Sequence, residues 1–108
     1  MAKKRTSSST STGTGVKELS KNKIEEPLQF QVIFFNDDFT TTDFVVSVLM
    51  VVFNKSQAEA TALMLKVHHE GSAVVATYSF DMAMSKANRA IAIARHEGFP
   101  LKITVEEA

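Results

Sequence analysis

Two clusters of polar side chains in this chain could together hold a small charged ligand. The first is Asn36-Asp37-Asp38, an amide and two carboxylates that end a strongly apolar run. The second contains His68, whose neutral imidazole can accept a hydrogen bond. A protonated α-amino group offers three N–H donors, which amide, carboxylate and imidazole acceptors can satisfy. The sequence therefore predicts a site for a free α-amino group, provided that the fold joins the two clusters.

An apolar stripe accompanies His68 along the chain. Met64 and Val67 share one helix face, and His68, four residues after Met64, lies along the edge of this stripe, whereas His69 points about 100° further round and should be solvated. Together with the acceptors, this stripe would form an apolar pit suited to an amino group that carries a bulky apolar side chain. A buried ammonium left unpaired costs several kcal/mol, so such a pit would discriminate against internal peptide segments that bring no ammonium.

Simpler interpretations of both clusters remain open. Asn36-Asp37-Asp38 also has the composition of a turn after a strand, with one side chain capping the next helix. A histidine at a helix end also interacts with the helix dipole. Metal binding is disfavoured, because adjacent His68 and His69 face different ways and no His-x-x-x-His spacing occurs. No hydrolase or phosphate-loop motif is present, so we expect neither catalytic residues nor a metal or cofactor.

Composition limits the function classes. A chain of 108 residues with 44% apolar residues suits one globular domain. Twelve basic and twelve acidic residues give no general attraction for nucleic acid or an anionic membrane, and no apolar run could span a bilayer. The absence of cysteine excludes disulfides, thiolate zinc sites and a cysteine nucleophile. We expect a monomer that binds neither nucleic acid nor membrane.

The chain divides into two zones at Pro27. Residues 1–26 begin with a basic triplet, continue in Ser, Thr and Gly, and end in mixed charges. Such a segment buries too little apolar surface to offset its ordering entropy, which predicts a flexible N-terminal extension. A transit peptide is the alternative interpretation of this extension. Residues 27–108 are predicted to form the folded domain.

Hydrophobic periodicity predicts six elements in the folded domain. The expected segments are a strand over 28–35, helices beginning near 41–43 and at 56, a strand over 73–78, a helix ending at 98 and a strand over 101–106. Either Ser79 or Asp81 can cap the third helix. The first helix is apolar all round, since Met50 and Val51 continue its inner stripe onto the outer side, which predicts an exposed apolar groove beside it.

Cap signals support the helix boundaries. Thr40 and Asp43 have the spacing of an N-cap and a first-turn acid. Ser56 and Glu59 match a capping box, and Gly71 suits the left-handed residue that follows a helix. The order β-α-α-β-α-β places strand one most favourably in the centre, because every neighbouring pair of strands is then antiparallel. We predict an α+β sandwich, a three-stranded antiparallel sheet covered by three helices on one face.

Four segments, taken in order, resemble the ClpS family of adaptors, which carry N-degron substrates to the AAA+ unfoldase ClpA of the ClpAP protease. The similarity covers about residues 27–108 and implies the same α+β sandwich. The segments are Asn36-Asp37-Asp38-Phe39-Thr40, similar to the family's Asn-Asp-Asp-Tyr-Thr; Phe44-Val45-Val46; Ala60-Thr61-x-Leu63-Met64-Leu65-x-Val67-His68-x-x-Gly71; and Pro100-Leu101.

The resemblance also implies residue roles. By this resemblance, the substrate's α-amino group would be bound by Asn36, Asp37 and His68, and its backbone and the pocket rim by Asp38 and Thr40. The hydrophobic pocket for its first side chain would be lined by Thr42, Val45, Met64, Val67 and Leu101. Asp81, which replaces a common Glu, and Lys86 fall where the family docks on the unfoldase. The implied protein is a bacterial cytoplasmic adaptor for Leu, Phe, Tyr or Trp N-termini that catalyses nothing, its disordered tail engaging the unfoldase during hand-over.

One departure concerns the mouth of the pocket. The family usually has Pro-Met where this chain has Thr41-Thr42, and that Met is a pocket gate. The shorter Thr42 predicts a wider or differently shaped mouth and leaves the preference among the four first residues open, as in a divergent paralogue. The alternative function is a docking module of the same fold without amine specificity. It would bind a partner through the apolar side of the first helix or the outer face of the third.

Overall fold

A computed structural model describes residues 27–108, and the predicted extension 1–26 lies outside the described residues. Six elements follow one another in the predicted order. They are β1 (Phe30–Phe35), α1 (Thr42–Val51), α2 (Gln57–Glu70), β2 (Ser72–Tyr78), α3 (Phe80–His96) and β3 (Lys102–Glu107).

The three strands form one antiparallel sheet in the order β2-β1-β3. Phe35, the last residue of β1, pairs with Ser72 of β2 on one side and with Lys102 of β3 on the other. The register with β2 shifts between Val32 and Ile33, where the ladder is irregular. The α+β sandwich with the apolar strand in the centre is therefore confirmed, and β1 ends between the starts of β2 and β3.

One hydrophobic core lies between the inner face of the sheet and the helices. Val32 and Phe34 of β1 are fully buried in it, and the Phe34 ring meets the Phe53 ring edge-on at 5.5 Å. All three helices contribute small or branched side chains to this core. They are Val45, Val48 and Leu49 from α1, Ala60 and Val67 from α2, and Ala83, Ala87, Ala90 and Ala94 from α3.

The two caps of α2 are as predicted. The Ser56 hydroxyl accepts from the Glu59 N–H at 3.1 Å, and the Glu59 carboxylate accepts from the Ser56 N–H at 2.9 Å. Gly71 ends the helix with φ +89°, a conformation that a side chain would strain. At α3, Ser79 occupies the N-cap position without a side-chain hydrogen bond.

The predicted cap of α1 is wrong by one residue. Thr41, with extended backbone, accepts from the Phe44 N–H at 3.2 Å, so the helix begins at Thr42. Thr40 instead donates its hydroxyl and its N–H to the Asp37 carboxylate. On the outer side of α1, Met50 and Val51 are exposed, which agrees with the predicted uncovered apolar side. Within residues 27–108, no helix has both the length and the apolar character needed to cross a membrane.

Candidate functional site

The loop between β1 and α1 begins beside the end of α2. We name residues Asn36–Thr40 the acceptor loop. The Asn36 N–H donates to the Gly71 carbonyl at 2.9 Å, one residue beyond the Phe35–Ser72 pair. Gly71 in turn donates its N–H to the Val67 carbonyl, in the last turn of α2 that also carries His68. The fold thus joins the two polar clusters, as the amine-site prediction required.

Asp37 braces the acceptor loop from within. One carboxylate oxygen accepts from the Phe39 N–H at 2.8 Å and from the Thr40 N–H at 2.7 Å. The other oxygen accepts from the Thr40 hydroxyl at 2.7 Å. Hydrogen bonds to a carboxylate are stronger than neutral ones, so this single side chain fixes the course of the loop.

These contacts also determine the charge of Asp37. Partial burial alone would raise the pKa of this carboxyl, but the hydrogen bonds from Thr40 and Phe39 outweigh burial, and the positive charge of Arg95 adds to them. The net effect lowers the pKa of Asp37 below its ordinary value. The acceptor loop therefore carries a firmly ionised carboxylate at neutral pH.

The other predicted acceptors are exposed and unengaged. Within residues 27–108, no hydrogen bond occupies the side chains of Asn36, Asp38 or His68. His69 is also exposed, as predicted, and its ring meets the His68 ring edge-on at 5.3 Å. Asp37 holds the shape of the acceptor loop, and the neighbouring side-chain acceptors have no partner among the described residues.

The predicted pocket residues, apart from Thr42, belong to the hydrophobic core or pack against it. Val45, Val67 and Leu101 come from α1, α2 and the segment before β3, and they are only 6%, 3% and 1% exposed. Met64 is half-buried and packs against the same core, while Thr42 is exposed as the first residue of α1. The predicted lining thus consists of a buried apolar floor and two more accessible members.

Arg95, in the last turn of α3, is a contributor that the sequence analysis missed. Its Nη1 donates to the carbonyls of Phe99 at 2.9 Å and Leu101 at 3.0 Å. The Phe99 ring lies 4.9 Å from the Phe44 ring of α1. The sequence did contain a signal for this role, since Arg95 is a basic residue near the predicted end of the third helix and such residues often donate to nearby carbonyls.

The predicted docking residues lie in a different place. Asp81 and Lys86 line an open groove on the outer side of α3, which we name the α3 groove; it is lined by Ser79, Asp81, Met82, Ser85, Lys86 and Arg89. The Lys86 ammonium is already engaged, since it donates to the Val52 carbonyl at the end of α1 at 2.8 Å. It also lies 5.5 Å from the centre of the Tyr78 ring.

The groove and the acceptor loop belong to opposite ends of β1. The Phe80 ring, at the start of α3, meets the ring of Phe30 at the beginning of β1, with centroids 5.1 Å apart. The acceptor loop follows Phe35, at the other end of the strand. In the described part of the chain, no three His, Cys, Asp or Glu side chains come together as metal ligands would.

Comparisons with known sequences point to one family. The family described as "ATP-dependent Clp protease adaptor protein ClpS" matches residues 25–104. An ATP-dependent Clp protease adapter protein ClpS from Wolinella succinogenes is 49% identical over 84 residues, which are 78% of this chain and 82% of that protein. The protein of the same name from Nitrosospira multiformis is 43% identical over 95 residues, or 88% of this chain and 93% of that one.

A solved structure agrees with these sequences. The structure of Agrobacterium tumefaciens ClpS2 bound to L-phenylalaninamide superposes with a TM-score of 0.75. The two chains share 37% sequence identity, and the match covers 77% of this chain and 100% of that one. The likeness therefore extends over the folded domain, including the acceptor loop and the α3 groove.

Proposed function

The chain belongs to the ClpS family of Clp protease adaptor proteins, and from this premise we propose that it binds proteins with a bulky apolar first residue. The expected first residues are Leu, Phe, Tyr and Trp, and the bound proteins are handed to the ClpA unfoldase of the ClpAP protease for degradation. In this role the protein is a monomeric adaptor of the bacterial cytoplasm. It needs no cofactor and catalyses no reaction itself.

The observation that carries the proposal is the 2.9 Å hydrogen bond from Asn36 to Gly71. It joins the acceptor loop to the end of α2, directly after the turn that contains Val67 and His68. Unengaged acceptors therefore lie beside an apolar core. A free N-terminal residue has the matching features, since its ammonium donates hydrogen bonds and its side chain is apolar.

We propose that Asn36, Asp37 and His68 receive the α-amino group. Three protein donors already bind Asp37, and because a carboxylate has about four lone-pair positions, roughly one remains for the ammonium or for a bridging water. Asp37 therefore contributes chiefly negative charge and loop geometry, and Asn36 and His68 accept directly. Asp38, with its exposed carboxylate, and Thr40 form the rim beside the next peptide unit.

The apolar floor would receive the first side chain. Entry requires room among Val45, Val67 and Leu101, which are closed in the core, and we propose that the half-buried Met64 moves to admit the ligand. The ligand of the Agrobacterium protein supports this assignment. L-Phenylalaninamide has a free α-amino group, a benzyl side chain and an amide in place of the next peptide bond, which makes it a minimal N-terminal phenylalanine.

Delivery to the unfoldase is assigned to the α3 groove. Asp81 and Arg89 are exposed there and can form ion pairs with a partner. Met82, which is 51% exposed, offers an apolar side chain to the same partner. Exposed methionine and arginine side chains are typical of protein interfaces. Lys86 takes part through its position in the groove, because its ammonium is held by α1.

Binding is tested with fluorescent peptides that differ only at residue one, each with a free and an N-acetylated amine. We expect binding of the Leu, Phe, Tyr and Trp peptides, and its loss on acetylation, because acetylation removes the charge and two donors. If no free N-terminus binds, the degron proposal is wrong and the docking-module alternative becomes the better account. Equal binding of acetylated peptides would contradict amine recognition alone.

Delivery is tested by ClpAP degradation of a reporter with an N-terminal phenylalanine. The wild-type chain should accelerate degradation, and Asp81→Lys with Arg89→Glu should reduce the acceleration while leaving peptide affinity unchanged. A matched control is Asn88→Ala, an exposed change on the same helix outside the groove lining. Undiminished delivery by the charge-reversed variant would show that the unfoldase docks elsewhere.

A further inference from the structure

We name residues 97–101, between α3 and β3, the floor segment. Its first part is hydrogen-bonded to the end of α3. The Gly98 N–H donates to the Arg95 carbonyl at 3.0 Å, and the Phe99 N–H donates to the Ala94 carbonyl at 2.8 Å. Pro100 has no N–H to donate. Among the described residues, no main-chain hydrogen bond joins Pro100 or Leu101 to α3, although the segment still has to reach the first residue of β3.

The Arg95 side chain supplies the missing connection. Its Nη1 donates to the carbonyls on both sides of Pro100, those of Phe99 at 2.9 Å and Leu101 at 3.0 Å. A guanidinium is planar and always charged, so its donors hold two neighbouring carbonyls in one fixed arrangement. Arg95 thus holds the floor segment with its own carbonyl at one end and its side chain at the other.

The floor segment carries part of the candidate pocket. Leu101 is 1% exposed and belongs to the apolar floor. The Phe99 ring lies 4.9 Å from Phe44, which precedes the pocket residue Val45 on α1. A shift of the segment would therefore move the floor at Leu101 and the contact with α1 together.

Arg95 also acts on the acceptor loop. Its positive charge is among the causes that favour the ionised form of Asp37, the side chain that braces this loop. The guanidinium therefore holds the floor segment through two hydrogen bonds, and its charge adds the smallest of the causes that lower the pKa of Asp37.

We propose that Arg95 is a positioning residue of the first-residue site. It touches no ligand, and its two hydrogen bonds hold Leu101, part of the apolar floor that receives the first side chain, in one position relative to α3. This inference rests on the proposed binding of free N-termini and deepens it by adding a residue from α3. Positioning of this kind raises affinity because the site is already formed before the ligand arrives.

The test compares Arg95→Met and Arg95→Lys in the full chain, with Asn88→Met, an exposed change on the same helix outside the groove lining, as matched control. The probe is a free-amine Phe-initiated peptide, followed by fluorescence anisotropy at a temperature where every variant is folded. Arg95→Met keeps much of the apolar stem but loses both hydrogen bonds and the charge, so its Kd should rise roughly tenfold. Arg95→Lys keeps the charge but not the planar fork, and should fall between Met and wild type.

A second readout separates positioning from general destabilisation. Amide hydrogen exchange in the free protein should increase at residues 98–103 in Arg95→Met, while the core amides of β1 keep their protection. A double-mutant cycle with Asp37→Asn should give a non-additive change in Kd, because both changes act on one acceptor loop.

The outcomes distinguish this inference from the function on which it rests. If the wild type binds the peptide and Arg95→Met binds it within twofold of the Asn88→Met control, the inference is overturned and the proposed function stands. A change in exchange spread evenly over the molecule would also overturn it, since Arg95 would then be a general stabiliser. If wild type binds no free N-terminus, the proposed function fails and the inference with it.

Discussion

The acceptor loop and the α3 groove both combine charged and apolar side chains, but they are built in opposite ways. In the acceptor loop one carboxylate, that of Asp37, is taken up by three internal hydrogen bonds, and the apolar residues lie buried beneath. In the α3 groove the apolar residue Met82 is 51% exposed and lies among charged side chains. The acceptor loop is held by its own hydrogen bonds above buried apolar residues, whereas the α3 groove exposes its apolar residue.

This difference matches two kinds of ligand. A small charged group is bound best by acceptors held in place beforehand, because little ordering entropy is then lost on binding. A protein partner covers a larger surface and can bury exposed side chains such as Met82 and Phe80. We therefore propose the acceptor loop, with the internal bonds of Asp37, as the ligand end of the molecule and the exposed residues of α3 as the partner end.

The largest expected effect is a loss of peptide affinity when the proposed ammonium acceptors are removed. Asn36→Ala and His68→Ala should each weaken binding of a Phe-initiated peptide by about 1.5–3 kcal/mol, or roughly 10- to 100-fold in Kd, because each takes one acceptor from a charged donor. Isothermal titration calorimetry measures the change.

Two matched controls accompany those variants. His69→Ala removes the exposed neighbouring imidazole, and Asn88→Ala removes an exposed amide on α3. Both should bind the peptide like wild type. Equal losses in His68→Ala and His69→Ala would contradict the role given to His68.

Thr42→Met should change the selectivity among first residues at the ligand end and leave the α3 groove unaffected. The longer apolar side chain restores the residue usual in the family, and a change of this size at a hydrophobic pocket is worth about 1–3 kcal/mol between competing ligands. Ratios of Kd among Leu, Phe, Tyr and Trp peptides measure it. Ratios identical to those of wild type would show that position 42 does not line the mouth.

Lys86→Met should act at the open end without affecting the ligand end. It removes the bond from the ammonium to the Val52 carbonyl, which should lower the free energy of unfolding by about 1 kcal/mol. Peptide Kd should stay unchanged. Urea unfolding tests the stability change, with Arg89→Met as control, and unaltered stability would mean that the bond to α1 contributes nothing.

The smallest expected effect is the pH dependence of the bracing carboxylate. Because the folded-state pKa of Asp37 lies below the unfolded value, its contribution to stability is complete above about pH 4 and is lost as pH falls through the folded-state pKa. Asp37→Asn should therefore be less stable than wild type, by about 1 kcal/mol at neutral pH, and the difference should shrink below about pH 4.

Urea unfolding at several pH values provides this measurement. Asp38→Asn is the matched control, since no described residue hydrogen-bonds its carboxylate, and it should follow the wild-type profile. A difference between Asp37→Asn and wild type that is independent of pH would show that charge plays no part in bracing the loop.

Local signals in the sequence predicted the elements that hold the site. The capping box at Ser56 and the left-handed Gly71 depend on neighbours within a few residues, and both occur as expected. The apolar alternation of β1 favoured the central strand because it must be covered by helices and flanked by partners. These two facts bring the end of α2 beside the end of β1.

Contacts that depend on side-chain competition were not predictable. Three consecutive threonines have the residue type of an N-cap, and only the structure shows that Thr41 accepts from the Phe44 N–H while the Thr40 hydroxyl donates to Asp37. The hydrogen-bond partners of the long side chains of Lys86 and Arg95 were equally unpredictable. Periodicity puts both at surface positions of α3, but it cannot say which carbonyl each one reaches.

The most direct test of the account is an NMR titration of the free protein with L-phenylalaninamide and with N-acetyl-L-phenylalaninamide. We predict chemical-shift changes from the free-amine compound at the acceptor loop and at the last turns of α2, and none at the α3 groove. The acetylated compound should cause none at either place. Equal changes from both compounds, or changes confined to α3, would contradict the assignment of the acceptor loop as a reader of free N-termini.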